Sequence, residues 1–470
     1  MMAPMRTMRT AHLAGGFGLV VVTVAALWLT LNPRIAAPVG LVLITLDTTR
    51  VDRLSPYGFM NVSLPNLERL VREGVTFDQA SSVAPLTLPA HTSLFTGLLP
   101  PNHGVRDNAD PPLEGTHVTL AEVLLANGFR TGAFVGSVVL DPDRGLKQGF
   151  EQYTGVNDAN GQTPDSRQRR ADEVIADAIR WLDMIGESRF FLWVHLYDPH
   201  LPYDPPEPYA SIYAHDRYVG EIAFADSQLG LLLAALERRA PLDRMIVIVA
   251  GDHGESLGER GERDHGIFIY ENVLRVPLMV RARAFDPLRV GEVVRLTDVM
   301  PTVLDLLGIR APSADGVTLV DVMRGRRRDL NLEAYSESRY PQRFGWSPLR
   351  ALREGRYKLI DAPRPELYDL EHDPFEQQNL YDERRALADT LTRRVTALAG
   401  TAPPARGVAD PTVVTNDLRE RLAALGYVSS GTTRALSEQR VLPDPKDCIA
   451  VYNAPVDRSA MPAVVAARCN

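Results

Sequence analysis

The sequence has little cysteine, no excess of positive charge and no internal repeat. Its 470 residues include two cysteines, Cys448 and Cys469, which lie in the C-terminal tail and either pair or stay free. A disulfide-stabilised core and a cysteine-ligated metal site are therefore excluded for the rest of the chain. The formal net charge of −8 and the lack of a basic stripe argue against a nucleic-acid partner.

Long uncharged hydrophobic runs are also scarce, with one exception near the N-terminus. Residues 13–31 contain no charged side chain, and this length is about enough to cross the hydrocarbon core of a membrane. Arg6 and Arg9 precede the run, which predicts a cytoplasmic N-terminus at 1–12, a signal anchor at 13–31 and a linker at 32–38. The catalytic domain would then lie in the periplasm or outside the cell. A signal peptide cleaved near residues 35–37 is the alternative.

The chain does have a set of short hydrophobic segments, each followed by residues of the types that bind metals. Residues 41–46, 190–196 and 247–250 have the composition of buried strands, and acidic residues or histidines follow each of them. In open parallel sheets, the carboxyl ends of the strands form the ligand-binding edge. The pattern therefore predicts one divalent-metal site at that edge, with Asp47, Asp252 and His253 as ligands.

Helical and strand patterns alternate over residues 39–311, which predicts an α/β domain with a mostly parallel sheet covered on both sides. Helices are predicted at residues 67–74, 120–127, 171–185, 218–236 and 296–307. Two acidic residues of the fourth helix, Glu221 and Asp226, are expected on its solvent-facing side. Residues 312–399 have shorter segments and are predicted to form a C-terminal subdomain. Residues 400–470 are predicted to be an extended or disordered tail.

A further segment places a hydroxyl group among these motifs. Residues 84–97 read Ala-Pro-Leu-Thr-Leu-Pro-Ala-His-Thr-Ser-Leu-Phe-Thr-Gly, with Thr87 just before a helix that starts near Pro89. With the strand ending at Asp47 and the Asp-His-Gly at 252–254, this order of motifs resembles the sulfatase-like branch of the alkaline phosphatase superfamily. The resemblance covers residues 39–398. It implies a three-layer α/β/α sandwich, a small antiparallel C-terminal sheet, and an enzyme that hydrolyses phosphoric or sulfuric esters.

The chain departs from the sulfatase pattern at the positions that carry the chemistry. Sulfatases of this family have a Cys or Ser, matured to formylglycine, followed by x-Pro-x-Arg; here Thr87 and His91 replace the modified residue and the Arg. Threonine cannot be matured to formylglycine. Thr48 replaces the second Asp of a family pair, and residues 133–139 contain neither the Lys nor the His that contact sulfate. The pattern is closer to the threonine-nucleophile members, which implies one or two ions of zinc or manganese rather than calcium.

The resemblance implies a role for each site residue. The implied metal ligands are Asp47, Thr87, Asp252 and His253. Thr87 is also the implied nucleophile, and His91 is a candidate substrate contact because it takes the place of the family's Arg. His200 and His265 either form a second metal site with Asp198, or contact the substrate phosphate and supply the general acid for the leaving group.

Three functional classes stay open. The first is a metal-dependent hydrolase of phosphate or sulfate esters, acting on a small molecule, a lipid or a glycan. The second is a transferase of a phospho-headgroup to an envelope lipid or glycan; such relatives have several membrane helices, whereas this chain has room for one. The third is a non-catalytic family member that binds envelope components, against which the complete set of predicted ligands argues. The sequence does not indicate an oligomeric state.

Overall fold

The computed structural model describes residues 38–156, 168–400 and 442–452. The predicted membrane anchor at 13–31 and its flanking segments lie outside these ranges, as does most of the predicted tail. The described residues form one large sheet with its helices and a second, smaller sheet.

The large sheet is mostly parallel, as the sequence predicts. In chain order its strands are β1 (Gly40–Leu46), β2 (Val75–Ser81), β3 (Arg130–Val135), β4 (Gln152–Thr154), β5 (Phe190–Leu196), β6 (Met245–Gly251), β7 (Arg275–Arg281) and β8 (Leu288–Arg295). Across the sheet the order is β4-β3-β5-β1-β6-β7-β2-β8, and β7 alone runs antiparallel to both of its neighbours. The central strands β1, β5 and β6 are buried along their whole length, which explains their continuous hydrophobic sequences.

Helices cover both faces of this sheet. In chain order the helices are α1 (Pro65–Glu73), α2 (Thr87–Thr96), α3 (Pro100–His103), α4 (Leu120–Ala126), α5 (Ala171–Met184), α6 (Tyr209–Ile212), α7 (Arg217–Arg239), α8 (Glu271–Leu274), α9 (Val299–Leu306), α10 (Val320–Met323), α11 (Arg385–Gly400) and α12 (Pro445–Tyr452). Helices α2, α4 and α9 share a core with Leu41 and Leu43 of β1. Helices α1, α5 and α7 share a core with Val42 and Ile44, which point to the opposite face.

The smaller sheet confirms the predicted antiparallel C-terminal subdomain. It consists of β9 (Glu333–Ser338), β10 (Leu349–Glu354), β11 (Tyr357–Asp361) and β12 (Glu366–Asp369), in the order β12-β11-β10-β9. Helix α11 packs on β10 and β11. Lys358 and Arg353 of this sheet each form a 2.9 Å ion pair with Glu271 of α8, which joins the subdomain to the main body.

The last described segment differs from the predicted tail. Helix α12 packs on the protein: Cys448 is fully buried and disulfide-bonded, and the rings of Tyr452 and Phe344 are 5.4 Å apart. Lys446 forms a 2.7 Å ion pair with Glu366. The prediction of an extended or disordered tail is wrong for this segment, because its side chains find partners that are remote in sequence. Residues 401–441 and 453–470 lie outside the described ranges.

Helix α7 is the one helix in the described part of the chain that is long and apolar enough to cross a membrane. Most of it is buried inside the protein, so α7 is a core helix. The prediction that Glu221 and Asp226 face solvent is wrong, because α1, α5 and α6 also pack against α7 and bury both residues. Asp226 accepts the N–H groups of Asn66 and Leu67 at the start of α1. Burial raises the pKa of Glu221 to about 9.

Candidate active site

Two neighbouring strands bring the predicted metal ligands together. Asp47 follows β1, and Asp252 and His253 follow β6. The register pairs Leu46 with Gly251, so the two strands end at the same edge of the sheet. The three side chains are fully buried, and their ligand atoms lie within 4.8 Å of one another.

This group, which we call the metal-ligand group, has the donor atoms and orientation that a divalent cation requires. Nδ1 of His253 donates to the carbonyl oxygen of Gly254 at 2.9 Å, which leaves the lone pair of Nε2 for a metal. Both carboxylate oxygens of Asp47 and Oδ2 of Asp252 are buried without a hydrogen-bond partner among the described residues. Such oxygens are costly unless a cation binds them. A set with an imidazole nitrogen suits zinc or manganese better than calcium, which prefers oxygen ligands.

The electrostatics of the two carboxyl groups also favour a bound cation. Burial raises the pKa of Asp252 well above its ordinary value, and the nearby Asp47 raises it further. Burial also raises the pKa of Asp47, but contact with His195 and the nearby imidazoles of His200 and His265 outweigh it, so the net shift is downward. Two buried carboxylates this close repel each other when both are ionised. A divalent cation between them would let both stay charged.

Thr87 lies beside the metal-ligand group, in the first turn of α2. Its Oγ1 is 3.3 Å from Nε2 of His253, the nitrogen that faces the carboxylates. Nε2 of His253 is also 3.6 Å from Oδ1 of Asp47 and 3.5 Å from Oδ2 of Asp252. The structure therefore assembles the four residues that the sequence predicts as metal ligands, and their roles as ligands stay predictions.

Thr48 sets the spacing of the two carboxylates through a strained backbone. Its φ of 47° is uncommon for a β-branched residue. The N–H of Thr48 donates to Oδ1 of Asp252 at 3.2 Å, and its carbonyl accepts from the hydroxyl of Tyr218 at 2.7 Å. Its hydroxyl donates to the carbonyl of Pro199, so the residue that replaces the family's second Asp binds backbone rather than facing the carboxylates. The turn after Asp47 is thereby held to the turn after β6.

Asn108 places a buried side-chain amide near the start of α2, and sequence analysis missed it. Its Oδ1 accepts the N–H of Leu88 at 2.9 Å, which caps the helix one residue after Thr87. Its Nδ2 is buried and has no hydrogen-bond partner in the part of the chain that the structure describes. No local sequence signal marks Asn108, because it reaches α2 from a loop 20 residues further along the chain.

His265 is held in its cationic form by Glu255. Nδ1 of His265 donates to Oε1 of Glu255 at 2.9 Å, and the hydroxyl of Tyr203 donates to Oε2 at 3.1 Å. Burial raises the pKa of Glu255 above its ordinary value, although His265 and Tyr203 act in the opposite direction. Burial lowers the pKa of His265, but Glu255, with Asp264 and Asp47, raises it to about 9. The His265 ring centroid is 4.5 Å from that of His253, so this cation lies beside the metal-ligand group.

The second predicted metal site is not assembled. Oδ2 of Asp198 accepts the N–H of Ala171 at 2.8 Å, where α5 begins. Within the described residues, Asp198, His200 and His265 do not form a group whose ligand atoms could share an ion. The structure therefore does not bring these three residues together as a ligand group, and a second metal on them stays a prediction. The rings of His200 and His265 are 5.1 Å apart, so their alternative role in substrate binding stays a prediction.

His91 is placed differently from its prediction. It is fully buried, its Nδ1 donates to the carbonyl of Thr87 at 2.8 Å, and its Nε2 is 3.0 Å from Oγ1 of Thr45. Both ring nitrogens therefore have partners inside the protein. The prediction that His91 contacts substrate is wrong. Its imidazole is shorter than the Arg side chain that it replaces, and it bonds back to the Thr87 carbonyl in the same helix.

His195, on the adjacent strand β5, contacts Asp47, and the sequence did not reveal this contact. The N–H of Gly136, which follows β3, donates to the backbone carbonyl of His195 at 3.1 Å, and the same nitrogen lies 3.4 Å from Nδ1 of the His195 ring. Nε2 lies 3.4 Å from Oδ2 of Asp47. A histidine behind a ligating carboxylate orients it and tunes its charge. The contact depends on the pairing of β1 with β5, which sets Thr45 opposite His195.

Comparison with known proteins identifies the family. The family model described as Sulfatase matches residues 40–309, more than half of the chain. The chain belongs to the sulfatase family. A second model, described as N-sulphoglucosamine sulphohydrolase, C-terminal, matches residues 258–400, which include the smaller sheet and α11. The predicted membership of the alkaline phosphatase and sulfatase superfamily is confirmed, and the protein is an ester hydrolase.

The relatives of this sulfatase-family chain are distant but similar over most of their length. The choline-sulfatase of Rhizobium meliloti is 27% identical over 417 residues, which cover 70% of this chain and 79% of that protein. The multifunctional alkaline phosphatase superfamily protein PehA of Trinickia caryophylli is 25% identical over 440 residues, which cover 67% of this chain and 85% of that one.

Solved structures show the same fold. The phosphonate monoester hydrolase of Agrobacterium radiobacter superposes with a TM-score of 0.65 at 23% identity, over 77% of this chain and 95% of that one. A protein solved with its substrate D-glucosamine-2-N,6-O-disulfate superposes with a TM-score of 0.67 at 20% identity, over 79% of this chain and all of that one. The predicted alkaline-phosphatase/sulfatase-like α/β fold is thereby confirmed.

Proposed function

We propose that this protein is a membrane-anchored, metal-dependent hydrolase of phosphate esters that forms a covalent intermediate on Thr87. One observation carries the proposal. The residue at the family's nucleophile position is a threonine, and its hydroxyl oxygen lies 3.3 Å from Nε2 of His253, the nitrogen that faces the carboxylates. The buried oxygens of Asp47 and Asp252 that lack partners among the described residues complete a set that suits one divalent cation.

The chemistry follows from these residue types. A divalent cation held by Asp47, Thr87, Asp252 and His253 would lower the pKa of the threonine hydroxyl and neutralise charge on the ester oxygens. The Thr87 oxygen, with its proton released to solvent, would bond to phosphorus while the bond from phosphorus to the alcohol oxygen breaks, and the alcohol would leave with a proton from His265. Water would then hydrolyse the phosphate ester of Thr87, which restores the hydroxyl and returns a proton to His265. Phosphoryl transfer depends mainly on positioning and charge neutralisation, which a buried and preorganised site supplies.

His265 is our candidate for the general acid. The pKa of its imidazole is raised to about 9, mainly by Glu255 acting against burial, so the ring carries the proton that a leaving alcohol requires at neutral pH. Burial lowers the pKa of His200 to about 4, so that ring is neutral and suits a hydrogen bond to substrate. The two neighbouring rings thus have different protonation states, which divides the proton-donor and binding roles between them.

The start of α2 and Asn108 are our candidates for holding the phosphoryl oxygens. The N-terminus of a helix carries partial positive charge and exposed N–H groups, both of which favour an anion. The Nδ2 group of Asn108, without a partner in the described part of the chain, adds a donor next to Thr87. Such fixed donors stabilise the charge that develops on the oxygens during transfer.

We rank phosphate esters above sulfate esters as substrates for three reasons. Thr87 cannot provide the formylglycine that the family's sulfatases use, and residues 133–139 lack the Lys and His that contact sulfate. A phosphoryl centre also carries more negative charge than a sulfuryl centre, so it gains more from a divalent cation and a cationic His265. Relatives include both a choline-sulfatase and a multifunctional member of the superfamily, and a phosphonate monoester hydrolase shares the fold.

The substrate class is tested with esters of one phenol. Purified protein loaded with zinc or manganese is assayed on the aryl phosphate, phosphodiester, phosphonate monoester and sulfate, so that the leaving group is constant. We expect kcat/KM for one of the phosphorus esters to exceed that for the sulfate. A higher kcat/KM for the aryl sulfate would refute the ranking, and the Thr87→Ala protein serves as the blank for contaminating activity.

The proposed location rests on residues 13–31 and the basic residues before them. We expect the protein to fractionate with membranes, and a reporter that is active only after export, fused after Asn470, to be active. Deletion of residues 13–31 in the same fusion is the matched control and should abolish reporter activity. Reporter activity restricted to the cytoplasm, or an uncleaved protein found only in the soluble fraction, would contradict the proposal.

A further inference from the structure

Resting on the proposed role of Thr87 as the nucleophile, we infer that His91 is a positioning residue that orients Thr87 through a buried hydrogen-bond chain starting at Trp193. The chain runs from Trp193 through Thr45 to His91 and ends on the backbone carbonyl of Thr87. These hydrogen bonds assign a role to His91, which replaces the family's Arg. They also assign a role to Thr45 and Trp193, for which sequence analysis found none.

The direction of every bond in this chain is determined by its two ends. The indole Nε1–H of Trp193 is a donor only, and it donates to Oγ1 of Thr45 at 3.0 Å. The carbonyl of Thr87 is an acceptor only, so Nδ1 of His91 carries the proton that it donates over 2.8 Å. Nε2 of the neutral ring must then accept the hydroxyl proton of Thr45, over 3.0 Å. Every polar group in the chain is satisfied, and one tautomer of His91 fits.

The surroundings keep the chain dry and rigid. Trp193, Thr45 and His91 are fully buried, and Thr87 is almost so. The His91 ring lies 5.5 Å from the Trp193 ring, which packs edge-on against Phe95 at 4.6 Å. A fully satisfied buried network of this kind specifies one arrangement, because any rotation leaves a buried polar group without a partner.

The hydrogen-bond chain links Thr87 to β1, the strand that precedes Asp47. Thr45 lies on β1, two residues before Asp47, and Trp193 lies on the adjacent strand β5, opposite Leu43. His91 lies one helical turn after Thr87, which lets its side chain reach back to the Thr87 carbonyl. These hydrogen bonds therefore hold the first turn of α2 in a fixed position relative to β1. A change in this chain should move Oγ1 of Thr87 relative to the metal-ligand group without removing any group that touches substrate.

The test compares two substitutions at Thr45 and one control. Thr45→Val removes the hydroxyl at nearly constant volume, and Thr45→Ser keeps the hydroxyl and removes a methyl group. Thr76→Val is the matched control, because Thr76 is also a buried strand threonine and its hydroxyl has no hydrogen-bond partner among the described residues. Trp193→Phe removes the first donor of the chain and serves as a second, independent variant.

We expect Thr45→Val to lower kcat by about 10- to 100-fold, because small misplacements of a reacting group cost rate on that scale. KM and bound metal should stay within about twofold of wild type, since no binding group is lost. Thr45→Ser should recover most of kcat, Trp193→Phe should lower it, and Thr76→Val should leave it unchanged. In single-turnover experiments, formation of the phosphorylated Thr87 should slow in proportion to kcat.

Three outcomes would overturn the inference, two of them in kcat and one in metal content. One is an unchanged kcat in Thr45→Val, and the other is a Thr45→Ser protein that is as slow as Thr45→Val. Loss of bound metal in Thr45→Val in parallel with kcat would also refute it, because the effect would then act on the metal-ligand group. The proposed function fails separately: wild-type turnover in Thr87→Ala would refute the nucleophile, whatever the Thr45 variants do.

Discussion

Replacing Thr87 with Ala should lower turnover by about four powers of ten or more, while the protein stays folded and keeps most of its bound metal. The substitution removes the atom that forms the covalent bond, and loss of a nucleophile has costs of this order in other hydrolases. Metal is retained because Asp47, Asp252 and His253 keep their ligand atoms within 4.8 Å of one another. The measurements are kcat/KM on the best ester of the panel and metal content by elemental analysis.

Thr87→Ser is the matched control for this experiment. Serine keeps a hydroxyl oxygen near Nε2 of His253, so it should retain turnover that Thr87→Ala lacks. Mass spectrometry of rapidly quenched wild-type enzyme should find phosphate on residue 87, and on the serine at that position in the control. Wild-type activity in Thr87→Ala, or a covalent adduct on another residue, would remove Thr87 from the role of nucleophile.

Replacing Asp252 with Asn should strip most of the bound metal and abolish turnover. Oδ1 of Asp252 accepts the N–H groups of Thr48 and His253 at 3.2 and 2.7 Å, and the amide oxygen of asparagine can keep both bonds. Oδ2 has no hydrogen-bond partner among the described residues, and the substitution puts an NH₂ group with no ligand lone pair in its place. The variant should therefore fold and lose its affinity for the cation. Elemental analysis and thermal melting measure the two effects.

Asp226→Asn is the matched control for Asp252→Asn. Asp226 is also a buried aspartate that accepts two backbone N–H groups, but it lies at the start of α1, outside the metal-ligand group. We expect Asp226→Asn to keep its metal content and turnover even where its melting temperature falls. Full metal occupancy in Asp252→Asn would contradict the assignment of this carboxylate as a ligand.

The sequence predicted the α/β fold and the location of the metal-ligand group because both depend on short-range pattern. Strands β1 and β6 are buried on both faces, so they appear as continuous hydrophobic segments that stop where Asp47 and Asp252 begin. Parallel strands that end together bring such residues to one edge without any knowledge of their packing. The motif that contains Thr87 needed only the order of residues along the chain.

The sequence could not predict contacts made by residues that are remote along the chain. His195 and Asn108 carry no local signal, because their partners Asp47 and Leu88 belong to other elements. Oδ2 of Asp198 accepts the N–H of Ala171 at the start of α5, a partner 27 residues away that the sequence did not indicate. These three cases share one cause: a buried polar side chain bonds to whatever the tertiary packing places next to it.

By itself, the sequence determined the sulfatase-like fold, the threonine that replaces the modified residue of the family's sulfatases, and the carboxylate–imidazole set at one edge of the sheet. Tertiary structure alone decided the inward turn of His91, the cationic state of His265 beside Glu255 and the docking of α12. The physical reason is the distance along the sequence between the residues that determine each property. Strand burial and motif order are properties of neighbouring residues, whereas the tautomer, charge and direction of a buried side chain depend on groups that only the folded chain brings within hydrogen-bonding distance.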